Sequence, residues 1–164
     1  MNTNEELARE IATLSANLDA ATHRLLECIR SFDQTGGWHE QGAISCAQWL
    51  SWRVGWDPGT ARERVRVARA LGTLPRIDEA LRSGALSYVK ARALTRVATP
   101  ENEAELLDLA RGCTTAQLER VVRGFRLGSR QSEDASSTPN AASQARREGF
   151  MRPLMPEMDR TSYA

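Results

Sequence analysis

The chain is short of several residue types, and each shortage excludes something. It has one lysine, Lys90, among 22 basic residues, so nearly all positive charge is arginine. Codon usage that favours Ala, Arg and Gly produces the same excess, so arginine abundance alone does not point to nucleic acid. Aromatic residues make up only 5%, and the apolar 41% is mostly Ala, Leu and Val. That mixture suits helices packed through small side chains rather than a sheet. The two histidines, His23 and His39, stand apart, one within a helical stretch and one in a loop. They read as surface residues and not as a metal cluster or a triad. Cys28, Cys46 and Cys113 are odd in number, widely spaced and form no C-x-x-C pair. Neither a zinc site nor a disulfide framework is expected, and buried thiols in a reducing compartment are.

No apolar run approaches the roughly 18 residues that span a bilayer. "MNTNEELARE" is acidic and polar, unlike a signal peptide, so a cytoplasmic chain with no membrane partner is expected. There is no Gly-rich phosphate loop, no H-E-x-x-H and no G-x-S-x-G. Glu5 and Glu6, like Glu101, Glu103 and Glu105, stand at helix starts, where carboxylates complement the helix dipole. The expectation is no enzyme, no cofactor and no metal.

A net charge of +1 conceals an asymmetry. Residues 1–42 carry seven acidic and three basic side chains, residues 43–98 four acidic and ten basic. The middle third holds the positive charge.

The helical signals are strong. Leu7, Ile11, Leu14, Leu18, Ala21, Leu25, Ile29 and Phe32 recur at spacings near 3.5 residues, an apolar seam on a helix of about 30 residues. Such a seam either packs across the remaining domain or pairs with another copy. Thr3 with Glu6, Ser45 with Gln48, and Thr114 with Gln117 read as capping boxes. Asp57-Pro58 and Ser87 read as further helix starts, Thr99-Pro100 as another, and Gly55, Gly84 and Gly112 as stops. The helix from about 58 to 72 places Ala61, Val65, Ala68 and Leu71 or Gly72 on one face; the one after Ser87 places Val89, Ala93 and Val97 inside. Leu118, Val121, Val122 and Phe125 form the apolar face of the last.

The fold class expected is all-α, a long N-terminal helix packed with about seven shorter ones. Residues 1–127 form the domain, and residues 128–164, rich in Ser, Asn, Pro and charge, read as a disordered tail or truncated remnant.

"AQWLSWRVGWDPGTARERVRVARAL" has the form helix, Gly-containing turn, helix, the layout of a helix-turn-helix whose second helix enters the major groove. On that reading Thr60, Arg62 and Glu63 reach base edges. Arg53, Arg62, Arg66, Arg69, Lys90 and Arg92 contact phosphate, and DNA is the expected partner. The alternative is an interaction or oligomerisation module with no DNA binding. In that case a homodimer forms through Leu7, Ile11, Leu14, Leu18, Leu25 and Ile29, and the arginines are a solvated face or bind an acidic partner helix.

Two resemblances bear on this. "SCAQWLSWRVGWDPGTARERVRVARALGTLP", "ALRSGALSYVKARALTRVATPENEAELLDLA" and "TTAQLERVVRGFR" together resemble domain of unknown function 222, the N-terminal region of the actinobacterial 13E12 repeat family. The resemblance implies association with mobile elements and with an HNH endonuclease domain further downstream. Residues 128–164 hold no His or Cys, so nuclease activity is not expected to carry over. More locally, "GALSYVKARAL" is similar to the segment after the helix-turn-helix of ParB-type DNA-binding proteins, with Lys90 where those usually have histidine.

Overall fold

The structure, a computed structural model, describes residues 3–136. Among them are eight helices and no strand, so the fold is all-α. The core lies within the unit that ends at Leu127.

The long helix α1 spans Thr3–Thr35, and a one-turn helix α2, Gly37–Glu40, follows at once. The sequence pattern does not show α2, because four residues carry no period. Then come α3 (Cys46–Val54) and α4 (Pro58–Leu71). They are followed by α5 (Pro75–Arg82), α6 (Tyr88–Leu94), α7 (Glu103–Gly112) and α8 (Thr115–Ser136). Helix α8 carries residues 128–136 in helical form where composition alone points to a tail. No proline interrupts the run before Pro139, and a helix already started needs only propagation. The rest of that tail lies outside the described residues.

The centre of the domain is α4, packed against both α1 and α3. Ala61, Val65, Ala68 and Leu71 are buried as the spacing predicts, and Val67 is buried on another side. Ala61 and Ala68 let neighbouring helices approach closely. Around α4 the core gathers Leu26 and Ile29 of α1, Leu50 of α3, Ile77 and Leu81 of α5, Leu94 of α6, Leu106 of α7 and Leu118 of α8. Each such side chain contributes about 1.5–3 kcal/mol on burial.

Most helix starts use the expected caps. Ser45 Oγ accepts from the Gln48 amide at 3.1 Å, Asp57 Oδ1 from Thr60 at 3.0 Å, and Ser87 Oγ from Lys90 at 3.4 Å. Thr114 and Gln117 form the reciprocal box, at 3.3 and 2.8 Å. At Ser45 the return bond is displaced, since Gln48 Oε1 accepts from the Ile44 amide instead. The helix expected from Thr99-Pro100 begins later, at Glu103, because Asn102 Oδ1 accepts from the Thr99 amide and closes a separate turn first. Helix α6 ends at Leu94, so the inward residues are Ala91, Ala93 and Leu94, while Val89 is exposed.

Helix α5 begins at Leu74-Pro75 with no side-chain cap of its own. A carboxylate from another helix replaces it: buried Glu103 accepts from the amides of Arg76 and Ile77, at 3.0 and 3.2 Å. Gly84, in left-handed geometry at φ 73°, lets the α5–α6 turn approach α1, because a Cβ there would stand 2.7 Å from the carbonyl oxygen of Ala16.

Two sequence readings need correction. His23 is buried rather than on the surface, with Nε2 3.0 Å from Asp78 Oδ1, which ties α1 to α5. Of the three thiols only Cys46 is fully buried, and Cys28 is exposed. A helical wheel places each of these on a face but does not show which face another helix meets.

Candidate nucleic-acid interface

The corner between α3 and α4 is three residues long. Gly55, at φ 82°, ends α3, and Trp56 and Asp57 lead into Pro58. Asp57 caps the first turn of α4, and its carboxyl is held below its ordinary range chiefly by the hydrogen bond with Thr60. The corner presents Arg53, Thr60 and Arg62, all exposed, together with the exposed Trp52 and Val54. Beside it a groove of about 250 Å³ is lined by Ser45, Ala47, Gln48, Ser51, Pro58 and Arg62. The Ser51 hydroxyl on this groove is buried without a hydrogen-bond partner.

The remaining cations expected to meet phosphate are each engaged with a partner in the domain, although the Arg69 and Arg92 side chains stay largely exposed. Arg66 forms a two-point pair with Glu63, at 2.9 and 3.0 Å, and donates to the carbonyls of Arg92 and Thr95 at the end of α6. Arg96 also reaches Glu63, at 2.6 Å. The hydrogen bond from Arg66 is the main reason the Glu63 carboxyl lies below its ordinary range. Arg69 grips Asp33 of α1 through two bonds, at 2.6 and 2.9 Å. Lys90 donates to the carbonyls of Ala110 and Cys113, capping α7. Arg92 lies 3.6 Å from Glu119 of α8. Arg64 stacks over the rings of Tyr88 and Trp56, at 4.0 and 5.3 Å from their centroids.

The structure therefore leaves Arg53, Thr60 and Arg62 exposed about the α3–α4 corner and engages Arg66, Arg69, Lys90 and Arg92 with partners in the domain. Of the five arginines on α3 and α4, Arg53 and Arg62 alone make no hydrogen bond, ion pair or ring contact. Spacing shows only the Glu63–Arg66 pair, because the other partners lie on α1, on or just after α6, or in the α3–α4 turn.

A second cationic surface was not legible in the sequence. A groove of about 270 Å³ between α6 and α8 is lined by Arg92, Arg96, Glu119, Arg123 and Arg126. The basic spacing on α8 signals an exposed face, but only packing sets it beside α6.

Among the described residues no group of three or more His, Cys, Asp or Glu is placed to hold a metal ion. No helix there is long and apolar enough to cross a membrane.

Fold and surface define an all-α domain built around a buried central helix, with a cationic corner at that helix's start. The chain belongs to the family described as Domain of unknown function (DUF222), whose model matches residues 5–149. No curated protein and no solved structure matches it.

Proposed function

We propose that the chain is a non-catalytic DNA-binding module that meets the duplex with the α3–α4 corner as a helix-turn-helix. The observation that carries this reading is selective. The arginines of α3 and α4 that hold the fold are paired, and the two left over, Arg53 and Arg62, flank the turn beside Thr60. A recognition helix reads bases with its N-terminal residues, and these are the residues α4 leaves exposed. Arg62 and Thr60 are nearest the bases, and Arg53 and Arg62 each neutralise a phosphate. Arg66, Arg69 and Lys90 serve as scaffold under this reading, so fewer phosphates are neutralised than a count of cations implies. Association with mobile elements and HNH endonucleases, implied by the family resemblance, fits a module that delivers other domains to DNA.

The test is fluorescence anisotropy of the full chain on a GC-rich duplex, from about 50 to 200 mM salt. Two phosphate contacts per chain give a log–log salt slope near −2. Arg53→Ala with Arg62→Ala should remove binding while leaving the thermal midpoint in place. Unchanged affinity in that variant excludes the corner as the interface.

Self-association is a second reading, favoured by a separate observation, the exposed seam on α1. The seam and the corner share no residue, so the two readings do not compete.

A further inference from the structure

The N-terminal part of α1 extends beyond the body. From residue 3 to residue 15 every side chain is exposed; Ala12 and Ser15 edge a groove shared with the α5–α6 turn and the end of α7, and Gly84 approaches the backbone of Ala16. The next tie is Asp19, which accepts from the Tyr88 amide at 2.8 Å. The nine residues before that groove extend about 14 Å, a length of helix that is marginal in water by itself. Along this arm and onward runs an apolar stripe: Leu7 is 50% exposed, Ile11 67%, Leu14 54%, Leu18 69% and Leu25 40%. Ala21, also exposed, lies in the same line. His23 and Leu26, which face the body, lie on another side of the helix. The stripe stops after Leu25, because Ile29, next in the period, is buried in the core cluster. Ile29 therefore belongs to the domain's own core and not to a contact with another chain.

We propose that this stripe joins two copies of the chain through an antiparallel pair of α1 helices centred near residue 16. Leu7 then meets the partner's Leu25, Ile11 the partner's Ala21, and Leu14 the partner's Leu18, so the six stripe residues form six layers related by a two-fold axis. Each arm lies along the part of the partner's α1 that its own body already supports, which removes the cost of a free-standing helix.

The flanks of the stripe select this direction. Glu10, Asn17 and Arg24 line one side, and Ala8, Ser15 and Thr22 the other. Antiparallel pairing sets Glu10 against the partner's Arg24, twice by symmetry, and Asn17 against its own copy. Arg24 is highly exposed and held only by Glu27 one turn away, at 3.1 Å, so it is open to a second carboxylate. Parallel pairing would set Glu10 beside Ser15 and Arg24 beside the buried Ile29. It would also stack Glu5, Glu6 and Glu10 of both copies at one end and align the two helix dipoles. This inference stands whether or not the chain binds DNA.

The test is sedimentation equilibrium of the full chain from about 1 to 100 μM, where a dimer with a micromolar constant is resolved. Leu14→Glu with Leu18→Glu should give a monomer that still unfolds cooperatively, because both side chains are more than half exposed. Glu10→Arg and Arg24→Glu should each weaken the dimer about tenfold, and the two together should restore it. Cys28, exposed beyond the end of the stripe, reports direction. In the antiparallel pair the two copies stand about 36 Å apart, so mild oxidation leaves them unlinked, whereas Asn4→Cys should link to the partner's Cys28. A monomer at about 100 μM overturns the proposal, including one whose stripe is covered by residues 137–164 of the same chain. So does a dimer unaffected by the leucine changes or by both charge reversals, or a disulfide between two Cys28 thiols.

Discussion

The ammonium of Lys90 lies 2.7 Å from the carbonyl oxygen of Ala110, and equally close to that of Cys113. The chain's single lysine thus closes the end of α7, where carbonyls have no intrahelical partner. Its charge is directed into the domain. Lys90→Met should lower stability by about 1–3 kcal/mol, since two carbonyls lose a charged donor. Urea unfolding measures that loss. DNA affinity of the folded fraction should not change, and a matching loss of affinity would return Lys90 to the interface.

Arg66 and Arg62 share a helix but should behave oppositely. Arg66→Ala strips a donor from the carbonyls of Arg92 and Thr95 and leaves Glu63 with Arg96 alone. A cost of about 1–3 kcal/mol is expected, with little change in DNA affinity. Arg62→Ala, at an exposed position with no partner, should alter stability by less than about 0.5 kcal/mol. It should lower the salt slope of DNA binding by about one. Parallel melting and anisotropy measurements on the two variants separate scaffold from interface.

Acid should weaken the α4–α6 junction through Glu63. Its carboxyl lies below the ordinary range in the folded state, through the hydrogen bond with Arg66 first and the nearby charges of Arg66 and Arg96 after it. The folded state therefore favours the ionised form. This contribution is fully present above the unfolded value, near 4.5, and is lost as pH falls through the lower folded value. Glu63→Gln should flatten stability against pH below about 4.5 and change little of its slope near neutrality. Thermal midpoints measured from pH 2 to 7 give the comparison. An acid limb as steep as that of the parent chain would place the titration elsewhere.

The thiols should react in order of exposure. Burial pushes the Cys46 thiol up to about 11, so it stays protonated and enclosed at pH 8. A thiol-exchange reagent at pH 8 should modify Cys28 first, Cys113 more slowly, and Cys46 only on unfolding. Because the raised value favours the neutral thiol in the fold, this contribution is present below the unfolded value, near 9. It is lost as pH rises through about 11. Mass spectrometry over the time course resolves the three sites, and early modification of Cys46 would contradict its place in the core.

Gly84→Ala should be among the costlier single-methyl changes. The backbone there has φ 73°, and the new Cβ would press on the backbone of Ala16 at 2.7 Å. A loss of about 1–3 kcal/mol in chemical denaturation is expected. Near-neutral behaviour would mean that α1 can shift away from the α5–α6 turn.

Much of this fold can be read one residue at a time. The starts of α3, α4 and α6 follow from Ser45, Asp57 and Ser87, because an N-cap bonds an amide only three residues away. The α1 seam and the inward face of α4 follow from the helical period. Local geometry dictates these features, so sequence alone determined the all-α class, most helix boundaries and the candidate corner. The destination of the long cations is different. Lys90 reaches residues 20 and 23 positions away, Arg66 reaches 26 and 29, and Arg69 reaches 36. Glu103 caps α5 from 26 positions along the chain. A helical wheel shows the face on which a charge stands but not what stands opposite, so only the tertiary structure decided which cations are scaffold and which are free. It also decided where the seam ends: Leu25 and Ile29 share the period, and only the second is buried in the core.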